Sequence, residues 1–218
     1  MDWSRPVDLY CERTDPSFWA EPVNAISNAA FLIAAAAAYM QWRRAGGRDV
    51  PVLLLIVLTA VIGAGSFIFH TVATAGAVLF DTIPIAVFIY GYLFFALRRF
   101  LRLSAMAALA LLIVFAGLSS LEAAYVPEGA LNGSHAYLPA LAATVLIGVI
   151  TIKRTAGPLV LGAGVVLAVS LVFRSIDQAV CASFPLGTHF LWHCLNGLVL
   201  YLLLRAALID RVNASKLA

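Results

Sequence analysis

PVLLLIVLTAVIGAGSFIFHT, residues 51–71, decides the fold. The stretch holds no Asp, Glu, Lys or Arg. A helix needs ~20 apolar residues to cross ~30 Å of hydrocarbon, and this run supplies them. Its aliphatic residues follow one another without the period of two of a barrel strand, so the span is a helix. Only its end turns polar. Ser66 and His70 are four residues apart and share one face of that helix. At membrane depth such groups need partners.

The rest of the chain repeats the pattern. It is 63% hydrophobic and 11% charged, with a mean hydropathy of +0.97. Soluble domains run at ~45–50% apolar and ~25% charged, so this is an integral membrane protein. Seven apolar segments can be marked, at about 22–42, 51–71, 79–98, 104–122, 136–152, 157–176 and 187–207. A polar break with Glu122, Pro127, Gly129 and Asn132-Gly133 separates the fourth from the fifth. The expected fold is an all-α bundle of seven transmembrane helices. One seven-helix transmembrane domain, 22–208, follows a polar segment 1–21 and precedes a short tail 209–218. The N-terminus lacks the basic start of a signal peptide, so the first helix is expected to act as the insertion signal. No Gly-rich phosphate loop, internal repeat or basic aromatic patch suited to nucleic acid is present. Small residues in the first and sixth helices suit packing within the bundle or between protomers, leaving the oligomeric state open.

Basic residues orient the bundle. With the N-terminus outside, the inner loops and tail carry Arg43, Arg44, Arg48, Arg98, Arg99, Arg102, Lys153, Arg154, Arg205, Arg211 and Lys216. Only Arg5, Arg13 and Arg174 stay on the other side. The positive-inside rule therefore places the N-terminus out and the C-terminus in the cytoplasm. The outer side holds Asp8, Glu12, Asp15, Glu21, Glu128 and Asp177.

The seventh segment opens with HFLWHCLNG, residues 189–197. His189 and His193 are offset by only ~40° around a helix, so both imidazoles leave one face. Segment two ends on the outer side with Ser66 and His70. Segment three starts there with Asp81 in its expected first turn, where Pro84 is tolerated. Topology alone thus gathers Ser66, His70, Asp81, His189 and His193 into one layer. Three imidazoles with a fourth position open are the donor set of a catalytic zinc. Zn²⁺ can bring the pKa of a bound water to ~7. Asp81 suits a general base or a partner that orients a ligand, and Ser66 a donor to an oxyanion. Taken singly, these residues have plainer roles: an interfacial His, a helix-packing Ser, an N-capping Asp.

Asp8, Glu12, Asp15 and Glu21 offer oxygens suited to a hard cation such as Ca²⁺, though their spacing is not an EF-hand. The plainer reading is a solvated acidic segment. Asn24, Ser27 and Asn28 follow on the first helix. Cys11 and Cys181 both lie outside, where a disulfide between them would fasten the acidic segment over the bundle mouth. Cys194 is expected to pack. It points ~100° from His193, which argues against its being a ligand.

With these residues assembled, the chain resembles the alkaline ceramidases, in the superfamily of seven-helix membrane hydrolases that includes the adiponectin receptors. Three motifs carry the resemblance over most of the chain: GSFIFH followed by Asp81, HFLWH at 189–193, and DLYCE followed by EPVNAISN. The resemblance implies a Zn²⁺-dependent amidase that cleaves the N-acyl bond of ceramide. Its zinc would sit on His70, His189 and His193, with Ser66 and Asp81 assisting and the bilayer holding the lipid substrate. It also implies Ca²⁺ on the N-terminal acidic motif, matched here by Asp8, Glu12 and Glu21. The chain departs from the family pattern there. Asp8-Leu9-Tyr10 stands for Asp-Trp before Cys-Glu, Thr14 stands where Asn is expected, and the interval to Glu21 is shorter. Two other readings use the same residues: a metal-free Ser66–His70–Asp81 hydrolase, and a heptahelical lipid receptor with a structural zinc. A retinal protein is disfavoured, since Lys153 and Lys216 are the only lysines and neither lies in the last span.

Overall fold

The computed structural model describes residues 2–127 and 129–216, with side chains to Asp210. Glu128 therefore lies outside the described residues, as do the side chains of Arg211 and Lys216. Helix α1 is Pro22–Ser27 and α2 is Ala29–Arg44. They are followed by α3 Val50–Val72, α4 Ala75–Arg99, α5 Ala105–Tyr125, a 3₁₀ turn Ala130–Tyr137, α6 Leu138–Ile150, α7 Gly157–Val180 and α8 His189–Lys216. With α1–α2 and the 3₁₀ turn–α6 each counted as one crossing, seven helices are long and apolar enough to span a membrane. The described residues form no strand, only a single bridge between Pro6 and Thr74.

The core lies where α8 packs against α7, α2 and α3, and where α3 packs against α4. Leu204, Ala206 and Ala207 of α8 meet Ala38 of α2, Ala96 of α4 and Val160 of α7 in one buried cluster. Small residues at these positions let backbones approach, as lipid-embedded helices require. The α2–α8 contact is tightest at Gly197, where a Cβ would come within 2.9 Å of Ala30. Helix α5 stands at the edge, with Ala108 as its one fully buried residue.

The spans match the expected segments, with one consequential shift. Helix α4 starts at Ala75, capped by the Thr74 hydroxyl, which accepts from the Ala77 N–H. Asp81 therefore sits in the second turn rather than the first, and Pro84 lies in the helix interior. Thr74 is the better cap because its short side chain reaches back to the N3 amide. Helix α8 also runs past the expected end of the last span, to Lys216.

The arginine clusters have local jobs as well as a topological one. Arg99 pairs with Asp49, the N-cap of α3, at 2.6 Å, and Arg154 donates to the Phe100 carbonyl.

Candidate metal centre

His70 leaves the last turn of α3, and His189 and His193 leave the first two turns of α8. All three are buried, at 0%, 1% and 1% exposure. Their ligand nitrogens lie within 4.8 Å of one another. Two of the rings are gripped from behind. His70 Nδ1 meets Glu21 Oε2 at 2.6 Å, and His193 Nδ1 meets Ser27 Oγ at 2.7 Å. A carboxylate or hydroxyl on the far ring nitrogen is how metal-binding histidines are oriented. By contrast, His70 Nε2 and His189 Nδ1 are buried without a hydrogen-bond partner. An orphaned buried polar atom costs about 1–3 kcal/mol, and a shared cation removes that cost. The donor set therefore fits a zinc ion with one position left open.

Ser66 and Asp81 meet through a feature of the neighbouring residues. Pro84 has no N–H to offer the Phe80 carbonyl one turn back. That carbonyl leans on Gly65, where a Cβ would sit 1.9 Å from the oxygen. Glycine is the residue that admits this approach. The next residue on each helix is Ser66 and Asp81, so this close approach sets the two side by side. Asp81 Oδ1 is buried with no partner. His70 and Arg174 are both near enough to act on its charge.

Three further side chains shape the site. The Tyr10 ring stacks on His189 with centroids 3.5 Å apart and planes 18° from parallel. The half-buried Arg174 guanidinium lies 5.9, 5.5 and 5.5 Å from the ring centroids of Tyr10, Tyr137 and Trp192, cation–π distances. It also donates to the Asn132 carbonyl. A lone arginine inside an apolar run was the available signal for it. Asp177 Oδ1 accepts from the Thr188 and His189 amides at 2.7 and 2.9 Å, and its Oδ2 from the Cys11 amide at 3.0 Å. A carboxylate from α7 thus closes the N-terminus of α8, favoured by the helix dipole. No local motif announces a cap that comes from another helix.

The Cys11–Cys181 disulfide is formed, tying the N-terminal segment to the end of α7. Cys194, expected to pack, is instead exposed, because its position on α8 faces away from the histidines. Reduction of Cys11–Cys181, which spans 170 residues, is expected to destabilise the protein by about 2–4 kcal/mol. The check is the thermal midpoint with and without dithiothreitol, against a Cys11→Ser, Cys181→Ser variant that should no longer respond.

The four carboxylates expected to hold calcium are not gathered. Among the described residues, the histidines form the one group of three or more His, Cys, Asp or Glu able to share an ion. Asp8 is exposed. Glu12 spends its two oxygens on the Val23 and Asn24 amides at the start of α1, at 2.7 and 2.8 Å. Asp15 Oδ1 accepts from the Ser17 amide at 2.7 Å. Glu21 is taken by Arg13 and His70. Burial pushes the Glu21 carboxyl up. Its contacts with His70, Arg13 and Asn24 outweigh that, hold it below its usual range and keep it ionised. The residues present do not fit a calcium ion. The physical reason is competition: helix amides and a guanidinium have already claimed the oxygens.

Beneath the histidines the bundle forms an apolar groove. Phe31, Phe88, Tyr137, Trp192 and Asn196 are among its walls. Phe31 also packs edge-on against His193, with centroids 6.3 Å apart, so groove and metal centre adjoin.

One comparison with known proteins bears on this arrangement. A family model described as Ceramidase matches residues 10–216, nearly the whole chain. No curated protein matches it.

Proposed function

The chain belongs to the ceramidase family, and on that premise we propose that it is a zinc-dependent membrane amidase that cleaves the N-acyl bond of ceramide or a closely related lipid amide. The observation that carries the reading is the buried trio His70, His189 and His193, with two nitrogens unpartnered, set above an apolar groove.

When bound, zinc would supply Lewis acidity and a water acidified towards neutral pH. The chain's own groups do the rest. Glu21 and Ser27 hold His70 and His193 in position from behind. Asp81 is the proton carrier: it takes a proton from the attacking water and hands it to the departing amine. Ser66, beside that carboxylate, donates its one hydrogen to the oxyanion that develops on the amide carbonyl once Asp81 has taken up the proton. Phe31, Phe88 and Trp192 hold one hydrocarbon chain of the lipid. Tyr10, stacked on His189, closes the site to water on the other side. The basic loops favour an orientation with this site near the outer face and the C-terminus in the cytoplasm.

A metal-free serine relay is the weaker reading. In such a relay the histidine stands between serine and carboxylate. Here His70 Nδ1 is taken by Glu21 and not by Asp81.

The test is to incubate purified protein in detergent with N-acyl sphingoid lipids and to measure free fatty acid, with zinc content from elemental analysis. Hydrolysis that needs about one zinc per chain supports the reading. Full activity after chelation and removal of metal would refute it, and lipid binding with no hydrolysis would favour a receptor.

A further inference from the structure

Arg13 is 6% exposed, although it carries a full charge. Its guanidinium is surrounded by oxygens from three parts of the chain. Nε donates to Glu21 Oε1 at 2.5 Å. Nη1 donates to the carbonyls of Asp15 and Ser17 at 3.1 and 3.2 Å, and Nη2 to the His70 carbonyl at 3.1 Å. One carboxylate and three carbonyls around a buried positive charge is an oxygen cage of the sort that a hard metal ion occupies. A guanidinium fits such a cage because its donors form a fixed planar fork and it is always charged.

The cage touches the metal centre twice. The His70 backbone is held by Nη2, and the His70 ring is held by the second oxygen of the carboxylate that Nε holds. Glu21 therefore has one oxygen on the cation and one on the ligand. Asn24 Oδ1 and Asn28 Oδ1 are the buried oxygens left without partners nearby. Two neutral oxygens fall well short of the ~6–8 ligands that calcium takes.

We propose that Arg13 is a tethered cation standing in for a bound divalent ion, and that it is a positioning residue, holding Glu21 so that Glu21 holds His70 towards the zinc. The proposal rests on the zinc reading above. It makes the N-terminal segment independent of calcium, because the positive charge is part of the chain. The Cys11–Cys181 bond and the pairing of Val7 and Arg5 with Ala73 and Ala75 anchor the same segment at its other points.

The experiment compares wild type, Arg13→Met and Arg13→Lys in detergent. Zinc affinity is read by competition with a chromogenic chelator, and thermal midpoints of the zinc-loaded protein are read in calcium-free buffer with and without added CaCl₂. Wild type is expected to show the same midpoint with and without calcium. Arg13→Met, which keeps most of the stem and loses the charge, is expected to bind zinc about 10–100-fold more weakly. Arg13→Lys, with charge but no fork, should recover part of that loss. Stoichiometric calcium binding by wild type, or a midpoint that rises when calcium is added, overturns the proposal even if Arg13→Met fails to fold. Undiminished zinc affinity in a folded Arg13→Met also overturns it, while leaving the zinc reading standing. Wild type that takes up no zinc removes the zinc reading and this proposal with it.

Discussion

His189→Ala, His193→Ala and the double variant are each expected to lose zinc and to release fatty acid from N-acyl sphingoid lipid at least ~10³-fold more slowly than wild type. The size follows from what the ion does. On the proposed reading a bound zinc would polarise the carbonyl and activate the water, so its loss would remove both the electrophile's partner and the nucleophile. Each single variant leaves two imidazoles, too few for a stable site. His193→Ala also removes the ring that meets the Ser27 hydroxyl, and His189→Ala removes the face on which Tyr10 stacks. The prediction separates the competing chemistries. A serine relay built on Ser66, His70 and Asp81 needs neither α8 histidine and would be blocked by a serine-directed reagent. Zinc chemistry needs both and should resist that reagent. A receptor with a structural zinc would lose its fold with the metal but would show no hydrolysis to lose. Metal content by elemental analysis, together with fatty-acid release, distinguishes all three.

The spans were legible because lipid leaves a helix no choice: ~20 apolar residues in a row must satisfy their own backbone. The depth of the five polar groups was equally legible, since up-and-down topology puts the end of α3 and the starts of α4 and α8 on one side. The histidine trio followed from that, and the structure brings its ligand nitrogens together. What escaped was whatever one part of the chain does for another. Asp177 reads as a loop-side acid until it is seen closing the N-terminus of α8. Tyr10 reads as a departure from a motif until it is seen stacked on His189. The acidic segment reads as a cation site because carboxylates are counted easily, whereas a competing arginine between them is not. The start of α4 was misplaced because Asp81 is a plausible cap by type. Thr74, seven residues earlier, is the one with the geometry.

Gly65→Ala is expected to reduce kcat about 10²-fold and to destabilise the protein by about 1–3 kcal/mol, with zinc content retained. The added methyl would sit 1.9 Å from the Phe80 carbonyl oxygen, and the neighbouring Asp81 amide is also close. Neither is a flexible side chain that can swing aside, so α3 and α4 must part by roughly an ångström. That separation acts directly on the next residues, moving Ser66 away from Asp81. A displacement of ~1 Å is enough to cost ~10²-fold when proton transfer depends on alignment. His189 and His193 lie on α8, and His70 is held by Glu21 on its ring and Arg13 on its carbonyl, so the three ligands stay together and the ion should remain. Gly91→Ala is the control, on α4 itself, where an added Cβ meets nothing within 4 Å. It should leave kcat unchanged and, by helix propensity, stabilise by up to ~1 kcal/mol. Pro84→Ala probes the other half of the contact. It restores an N–H that competes for the Phe80 carbonyl, so it should straighten α4 and shift Asp81 relative to Ser66 without the steric clash. A smaller fall in kcat than for Gly65→Ala, with stability held, is the expected result. Equal activity in Gly65→Ala and Gly91→Ala would show that the approach of the two helices has no part in placing the catalytic carboxylate.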